Sequence, residues 1–224
     1  MNSLYLANIV FDTFLHGGII MWPLLGLSLF AAGVIAERVV WWTAAKRRRD
    51  TERLSRTYEA LSRGDREQAI QLAEASSDPR LRVIAYGLVH QESGVEIAMQ
   101  VRATEELKLA RRFLNAMDTI ITLAPLLGLL GTVTGIMQSF KFVGGDQELA
   151  ASKVSGGIGE ALIATACGLG IAIATLVPFN LFGSHADELR EEIETVSKNV
   201  HLLAEKAKQA PRREKQYESA GAAQ

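Results

Sequence analysis

Glu160 is the one formally charged residue between Val154 and Ser184, in the stretch VSGGIGEALIATACGLGIAIATLVPFNLFGS. The run that follows it, Ala161 to Ser184, exceeds the about 20 apolar residues needed to cross a bilayer core. If its helix starts near Lys153, a rise of about 1.5 Å per residue places the carboxyl roughly 10 Å along it. A carboxylate at that depth is costly unless it meets a wet cavity, a partner or a proton. The first chemistry this suggests is proton handling inside a membrane. The plainer reading is an interfacial acid that starts a helix, where negative charge suits the dipole. Hydroxyls are the next candidates: Thr132 and Thr134 in a second apolar run, and Thr165 in the same run as Glu160. Each can bond a carbonyl of its own helix, or line a wet lumen with Glu160. Thr165 lies five residues beyond Glu160 and points well away around the helix, so no direct contact within one chain is expected.

Other chemistries find no support. There is no GxxxxGK[ST] phosphate loop, so no nucleotide-driven motor is implied. His16, His90, His185 and His201 lack metal-ligand spacing, and no Ser or Cys stands in a nucleophile motif. The single Cys167 lies within an apolar run and reads as a small buried residue, with no disulfide inside one chain. Asp118, near the second run, is either a proton exit or a headgroup-level acid, and the second reading is favoured. Basic residues are not interleaved with aromatics as in a nucleic-acid face. The expectation is a non-enzyme with no cofactor, no metal and no nucleic-acid partner.

The elements that must position these residues follow from the charge pattern. The chain has 224 residues, 48% of them hydrophobic, and its net charge of −1 conceals strong segregation. Ile19 to Ala36, Thr119 to Phe140 and Ala161 to Ser184 carry no charge at all, which argues for three membrane helices. Lys46, Arg47, Arg48 and Arg49 follow the first run, and Arg111 and Arg112 precede the second. By the positive-inside rule the N-terminus is external and both the 46–112 segment and the C-terminal tail are cytoplasmic. A basic cluster beside an apolar run reads as a topology anchor meeting anionic lipid rather than as a nucleic-acid patch. No basic residue or small-residue cleavage site precedes the first run, so a cleaved signal peptide is not expected.

The expected organisation is an all-α membrane protein. Residues 1–16 form an external amphipathic segment, 17–43 the first transmembrane helix and 44–112 a cytoplasmic helical region. Residues 113–140 form the second transmembrane helix, 141–155 an external loop and 156–184 the third transmembrane helix. A cytoplasmic helix follows over 185–210, ended by Pro211, and 211–224 is a disordered tail. Asp78-Pro79 opens a helix, since Asp caps and Pro suits the first turn. Ile97, Val101, Thr104, Leu107, Ala110, Leu114 and Met117 recur at steps of three and four with no Pro or Gly. One helix is therefore expected from about Val95 to near Phe140. Leu189, Ile193, Val196, Val200 and Leu203 make a coiled-coil-like stripe. Glu37 and Arg38, at the exit of the first span, read as headgroup-level side chains, the alternative being that they pair with one another or with a neighbouring helix.

Gly131 and Gly135 form a GxxxG step, Gly128 and Thr132 a second small step on an adjacent face, and Ala164, Gly168 and Ala172 a third. Small residues let membrane helices approach closely. The pattern suits packing of a three-helix monomer, and helices with small residues on several faces also favour a ring.

These stretches resemble the ExbB/TolQ/MotA proton-channel family of bacterial inner membranes. The likeness covers GGIIMWPLLGLSLFAAGVIAERVV, APLLGLLGTVTGIMQSF and GGIGEALIATACGLGIAI. It is nearer to ExbB and TolQ, which have three spans, an external N-terminus and a glutamate in the third helix. The resemblance implies that Glu160 matches the pore-facing glutamate, with Thr132 and Thr165 as the family's threonines of the proton pathway. It implies a pentamer enclosing helices of an ExbD- or TolR-like partner, whose aspartate takes up and releases protons. It further implies that motion passes to a TonB- or TolA-like protein spanning the periplasm. One departure is that Ala174 stands where ExbB-like chains commonly have proline, with Pro178 one turn later. The function implied is a proton-driven motor subunit. The competing reading is an oligomeric membrane scaffold that conducts no protons, and three spans without an internal repeat are few for a secondary transporter.

Overall fold

In a bilayer only a helix pairs every backbone N–H and C=O within one segment, so the apolar runs become helices. The computed structural model describes residues 17–141 and 147–221; the segment 1–16 lies outside them. Helix α1 spans Met21–Arg47, α2 Thr51–Ser62, α3 Arg66–Glu74, α4 Pro79–Val89, α5 Val95–Ala110, α6 Leu114–Phe140 and α7 Gln147–Gly221. A single 3-10 turn, Gln91–Ser93, joins α4 to α5. No strand occurs among the described residues. Met21–Arg47, Val95–Phe140 and Val154–Ala204 are long and apolar enough to cross a membrane. The chain is an all-α membrane protein, and it divides into two units.

The first unit holds Phe113–Phe182 together with the chain up to Val39. Its helices α6 and α7 meet along a seam of small residues. A Cβ added at Gly128 would stand 2.9 Å from the Thr165 Cα, and one at Gly131 2.5 Å from the Ala164 Cβ. At Gly135 it would stand 3.0 Å from both the Ala161 Cβ and the Gly157 carbonyl, and at Gly168 2.5 Å from the Ala124 carbonyl. Ala161, Ala164 and Ala172 are buried on the α7 side. Such distances leave room for hydrogen and nothing larger. Helix α1 contributes Met21, Leu24, Ala31 and Val34 to the interior of the unit. Trp22, Leu29, Leu129, Leu162 and Ile173 are exposed, as suits surfaces bathed in lipid.

The second unit holds Val40–Arg112 and the chain from Gly183 onward. Three aspartates start its short helices: Asp50 accepts from the Arg53 N–H at 3.0 Å, Asp65 from Gln68 at 3.0 Å and Asp78 from Arg80 at 2.9 Å. Gly64 ends α2 at φ 79°, a conformation that costs glycine little. Leu54, Leu61, Ala69, Leu81, Ile84, Leu88 and Met99 share one core with Ala186, Leu189, Ile193, Val196 and Val200 of α7. The coiled-coil-like stripe is therefore consumed inside the chain.

Asp78 ties this core to its polar surroundings. Fully buried, it also accepts from the Asp50 N–H at 2.9 Å and pairs with Arg80 Nη2 at 2.6 Å. Burial pushes its carboxyl up, but the bonds from Arg80 and Asp50 and the adjacent guanidinium outweigh that, holding it below the ordinary carboxylate value.

The structure departs from the periodicity in three places. The expected single helix from Val95 to Phe140 is two, interrupted between Ala110 and Leu114 by Phe113 at φ 66°. A bulky residue rarely adopts that left-handed conformation. Here the Arg38 guanidinium lies 5.7 Å from the Phe113 ring centroid, a cation–π contact that helps hold it. Helix α7 begins at Gln147, so nine of the residues assigned to the external loop are helical. It also passes through Pro178 and Pro211 and continues to Gly221 without a break, where the sequence suggested an end at Pro211 and a disordered tail. A proline forfeits one i→i−4 bond, and a helix of this length absorbs that loss.

Candidate functional site

Glu160 sits on α7 within the membrane unit, half-buried. Its position depends on the chain just before α1. Gly18 adopts φ 73°, and its carbonyl accepts from the Met21 N–H at 3.1 Å, closing a turn. The Glu160 carboxylate lies against this turn: any side-chain carbon on Gly18 would collide with Oε1. Gly17 is crowded by other groups: a Cβ there would stand 2.5 Å from Met21 Cγ and 3.2 Å from Ile163 Cγ2. Gly18 thus forms a side-chain-free shelf under the acid. The sequence signal for this seat was the Gly17–Gly18 pair before the first span and an acid, Glu160, near the start of the third.

The threonines divide. Thr132 Oγ1 donates to the Leu129 carbonyl at 2.6 Å, and Thr134 Oγ1 reaches the Leu130 and Gly131 carbonyls at 3.0 and 3.1 Å, all within α6. Thr165 Oγ1 instead donates across the seam to the Gly128 carbonyl at 2.9 Å. Between helices in an apolar medium such a bond contributes about 0.6 to 2 kcal/mol. Among the described residues no hydrogen bond joins Glu160 to Thr132 or Thr165, so the structure does not gather the three into one cluster. What it does gather is Glu160 with Gly18, and Thr165 with Gly128.

Arg38 is wholly buried, and it donates to Glu37 from Nε at 2.5 Å and from Nη2 at 2.8 Å, the mutual pairing that the sequence offered as one alternative. A two-point guanidinium–carboxylate pair is among the stronger hydrogen-bonded arrangements. Adjacent acid and base at the end of a span look the same in sequence whether they meet water or protein. No group of three or more metal-ligating side chains occurs among the described residues. The arrangement offers a carboxylate packed against Gly18 near the start of a membrane helix, beside a tightly fitted two-helix hairpin.

Comparison with known proteins fits this geometry. Residues 75–195 match the family model described as the MotA/TolQ/ExbB proton channel family. A biopolymer transport protein ExbB-like 3 from Synechocystis is 39% identical over 174 residues, covering 75% of this chain and 82% of its own. The ExbB-like 1 protein of the same organism is 34% identical over 199 residues, covering 86% and 78%. The Tol-Pal system protein TolQ of Pseudomonas aeruginosa is 38% identical over 96 residues, covering 43% and 42%. With a match over more than half its length, and with Glu160, Thr132 and Thr165 all inside the matched segment, the chain belongs to the MotA/TolQ/ExbB proton channel family.

Proposed function

We propose that this chain is the ring-forming subunit of a proton-driven motor in a bacterial inner membrane. The observation that carries the reading is Glu160: an acid at the mouth of a span, packed against Gly18 in a member of a proton-channel family. Five copies enclose the membrane helices of an ExbD- or TolR-like partner, whose aspartate takes up and releases the protons. Glu160 faces that lumen with Thr132, and its negative charge raises the pKa of the partner's acid. Thr165 serves the pathway by fixing the hairpin through Gly128. The resulting motion passes to a TonB- or TolA-like protein that works across the periplasm. The basic cluster Lys46 to Arg49 sets the orientation, with the N-terminus periplasmic and the C-terminus cytoplasmic.

The test expresses wild type, Glu160→Gln and Glu160→Ala beside the cognate partner pair in cells lacking their own system. Energised uptake across the outer membrane is read at matched protein levels. Loss in both variants with assembly intact is the expected outcome, at least about tenfold if the charge shifts the partner's acid by one pKa unit. The scaffold reading draws support from the small-residue seam, which packs one chain against itself. Under that reading Glu160→Gln, which fills the same space and still bonds, keeps full activity.

A further inference from the structure

Helix α5 buries Ala98, Met99, Glu106 and Ala110, so the stripe that begins at Ile97 faces another way. Ile97 is 60% exposed, and Val101, Thr104 and Lys108 follow it, all exposed, at steps of four, three and four. Helix α7 buries Leu189, Ile193, Val196 and Val200 in the core of the same unit. On its outer side it leaves Glu191, Thr195, Lys198 and Leu202 exposed, again at steps of four, three and four, with Leu202 65% exposed. That is the spacing by which two helices interlock their side chains. The second unit thus shows two uncovered helix stripes with an apolar residue at one end and a charge at the other.

The stripes match in level, order and charge. Within the chain α5 and α7 run antiparallel: Arg111, just beyond the end of α5, pairs with Asp187 at 2.5 Å, and Ile97, near its start, shares a groove wall with Ser197 and His201. Lys108 is therefore level with Glu191, and Ile97 with Leu202. Each stripe covers about three turns, or about 16 Å of helix. Arg102 and Arg111 are already paired, as are Asp187, Glu192 and Glu194. Lys108 and Glu191, of opposite sign, have no ion pair among the described residues.

We propose that the α5 stripe of one copy packs antiparallel on the α7 stripe of the next. Rotation about an axis that runs along these helices keeps every residue at its own level, so only level residues meet between copies of a ring. Here Ile97 meets Leu202 and Lys108 meets Glu191. Between them Val101 lies under the aliphatic stem of Lys198, and Thr104 meets Thr195. The two stripes are different surfaces, so the contact is head-to-tail and repeats around a closed ring. The interface rests on the ring of the reading above and is indifferent to whether protons flow through it.

The experiment starts from a Cys167→Ala chain and co-expresses two differently tagged copies, one carrying Ile97→Cys and the other Leu202→Cys. A disulfide between these two can form only between chains. Oxidation of isolated membranes is expected to give a linked dimer bearing both tags, and no linked dimer from either variant alone. Adding Lys108→Glu to both copies should lower the yield about fivefold, since reversal removes one exposed ion pair and sets like charges opposite each other. Lys108→Glu together with Glu191→Lys should restore it. Absence of the mixed dimer, or a yield indifferent to Lys108→Glu, overturns the proposal. So does a product joining Ile97→Cys to a protein other than this chain. Native mass spectrometry separates this interface from the ring itself: five chains without the mixed dimer remove the interface alone, whereas a monomer removes both.

Discussion

Gly18 and Glu160 constrain one another. At φ 73° Gly18 already sits where a Cβ is strained, and the carboxylate fills the space a Cβ would take. Gly18→Ala should therefore act as a displaced-acid variant. We expect destabilisation of about 1–2 kcal/mol from the left-handed backbone alone, with energised uptake falling towards the level of Glu160→Ala. Thermal melting and uptake at matched expression check the two halves separately, and wild-type uptake would show that the shelf does not position the acid. Asp78 makes a different demand. Its folded pKa is depressed, so its contribution is complete above the unfolded carboxyl value of about 4 and is lost as pH falls through the lower folded value. Asp78→Ala, which strands buried Arg80, should cost about 3–5 kcal/mol. It should also flatten the acid limb of a melting-temperature profile recorded from neutral pH downward. Glu160 was legible in the sequence because a charge inside an apolar run announces itself. Its seat on Gly18 was not, because that contact joins the mouths of the first and third spans, and no local pattern reports which turn faces which acid.

Helices α6 and α7 show what periodicity can and cannot carry. Small residues at steps of three and four pointed to close helix approach, and Gly128, Gly131, Gly135, Ala164 and Gly168 all stand at the contact. The sequence left open whether that contact lay within one chain or between several; the structure uses it within one. A leucine at Gly131 would need space already held by the Ala164 Cβ. Gly131→Leu is expected to cost at least about 1–3 kcal/mol by overpacking, whereas Gly33→Ala, with nothing within 4 Å of its added carbon, should gain up to about 1 kcal/mol of helix propensity. Unfolding of the two variants in detergent, followed by circular dichroism, compares them directly; equal stability would remove the seam from the account of the hairpin. The interruption at Phe113 was invisible for a physical reason. One residue in the left-handed region does not disturb a three-and-four spacing, and the contact that favours it comes from Arg38, far away in sequence.

At the scale of the whole molecule, the chain builds one unit from its three apolar runs and another from the charged segments between and after them. The first presents large apolar side chains outward, among them Trp22 at 66%, Leu29 at 66% and Met137 at 61% exposure. Part of that surface must meet lipid, and in the proposed ring the rest meets neighbouring copies. Native mass spectrometry of the protein in mild detergent is expected to give five chains, and any other number of copies would unseat the pentamer. The seam between α6 and α7 bears on how such a ring comes to exist. Since glycines and alanines of a single chain close it, and Thr165 clasps Gly128 without outside help, the hairpin needs no neighbour to mature. Biosynthesis can therefore release each copy into the bilayer already folded, leaving assembly as a later, concentration-dependent choice of which finished subunits meet around which partner.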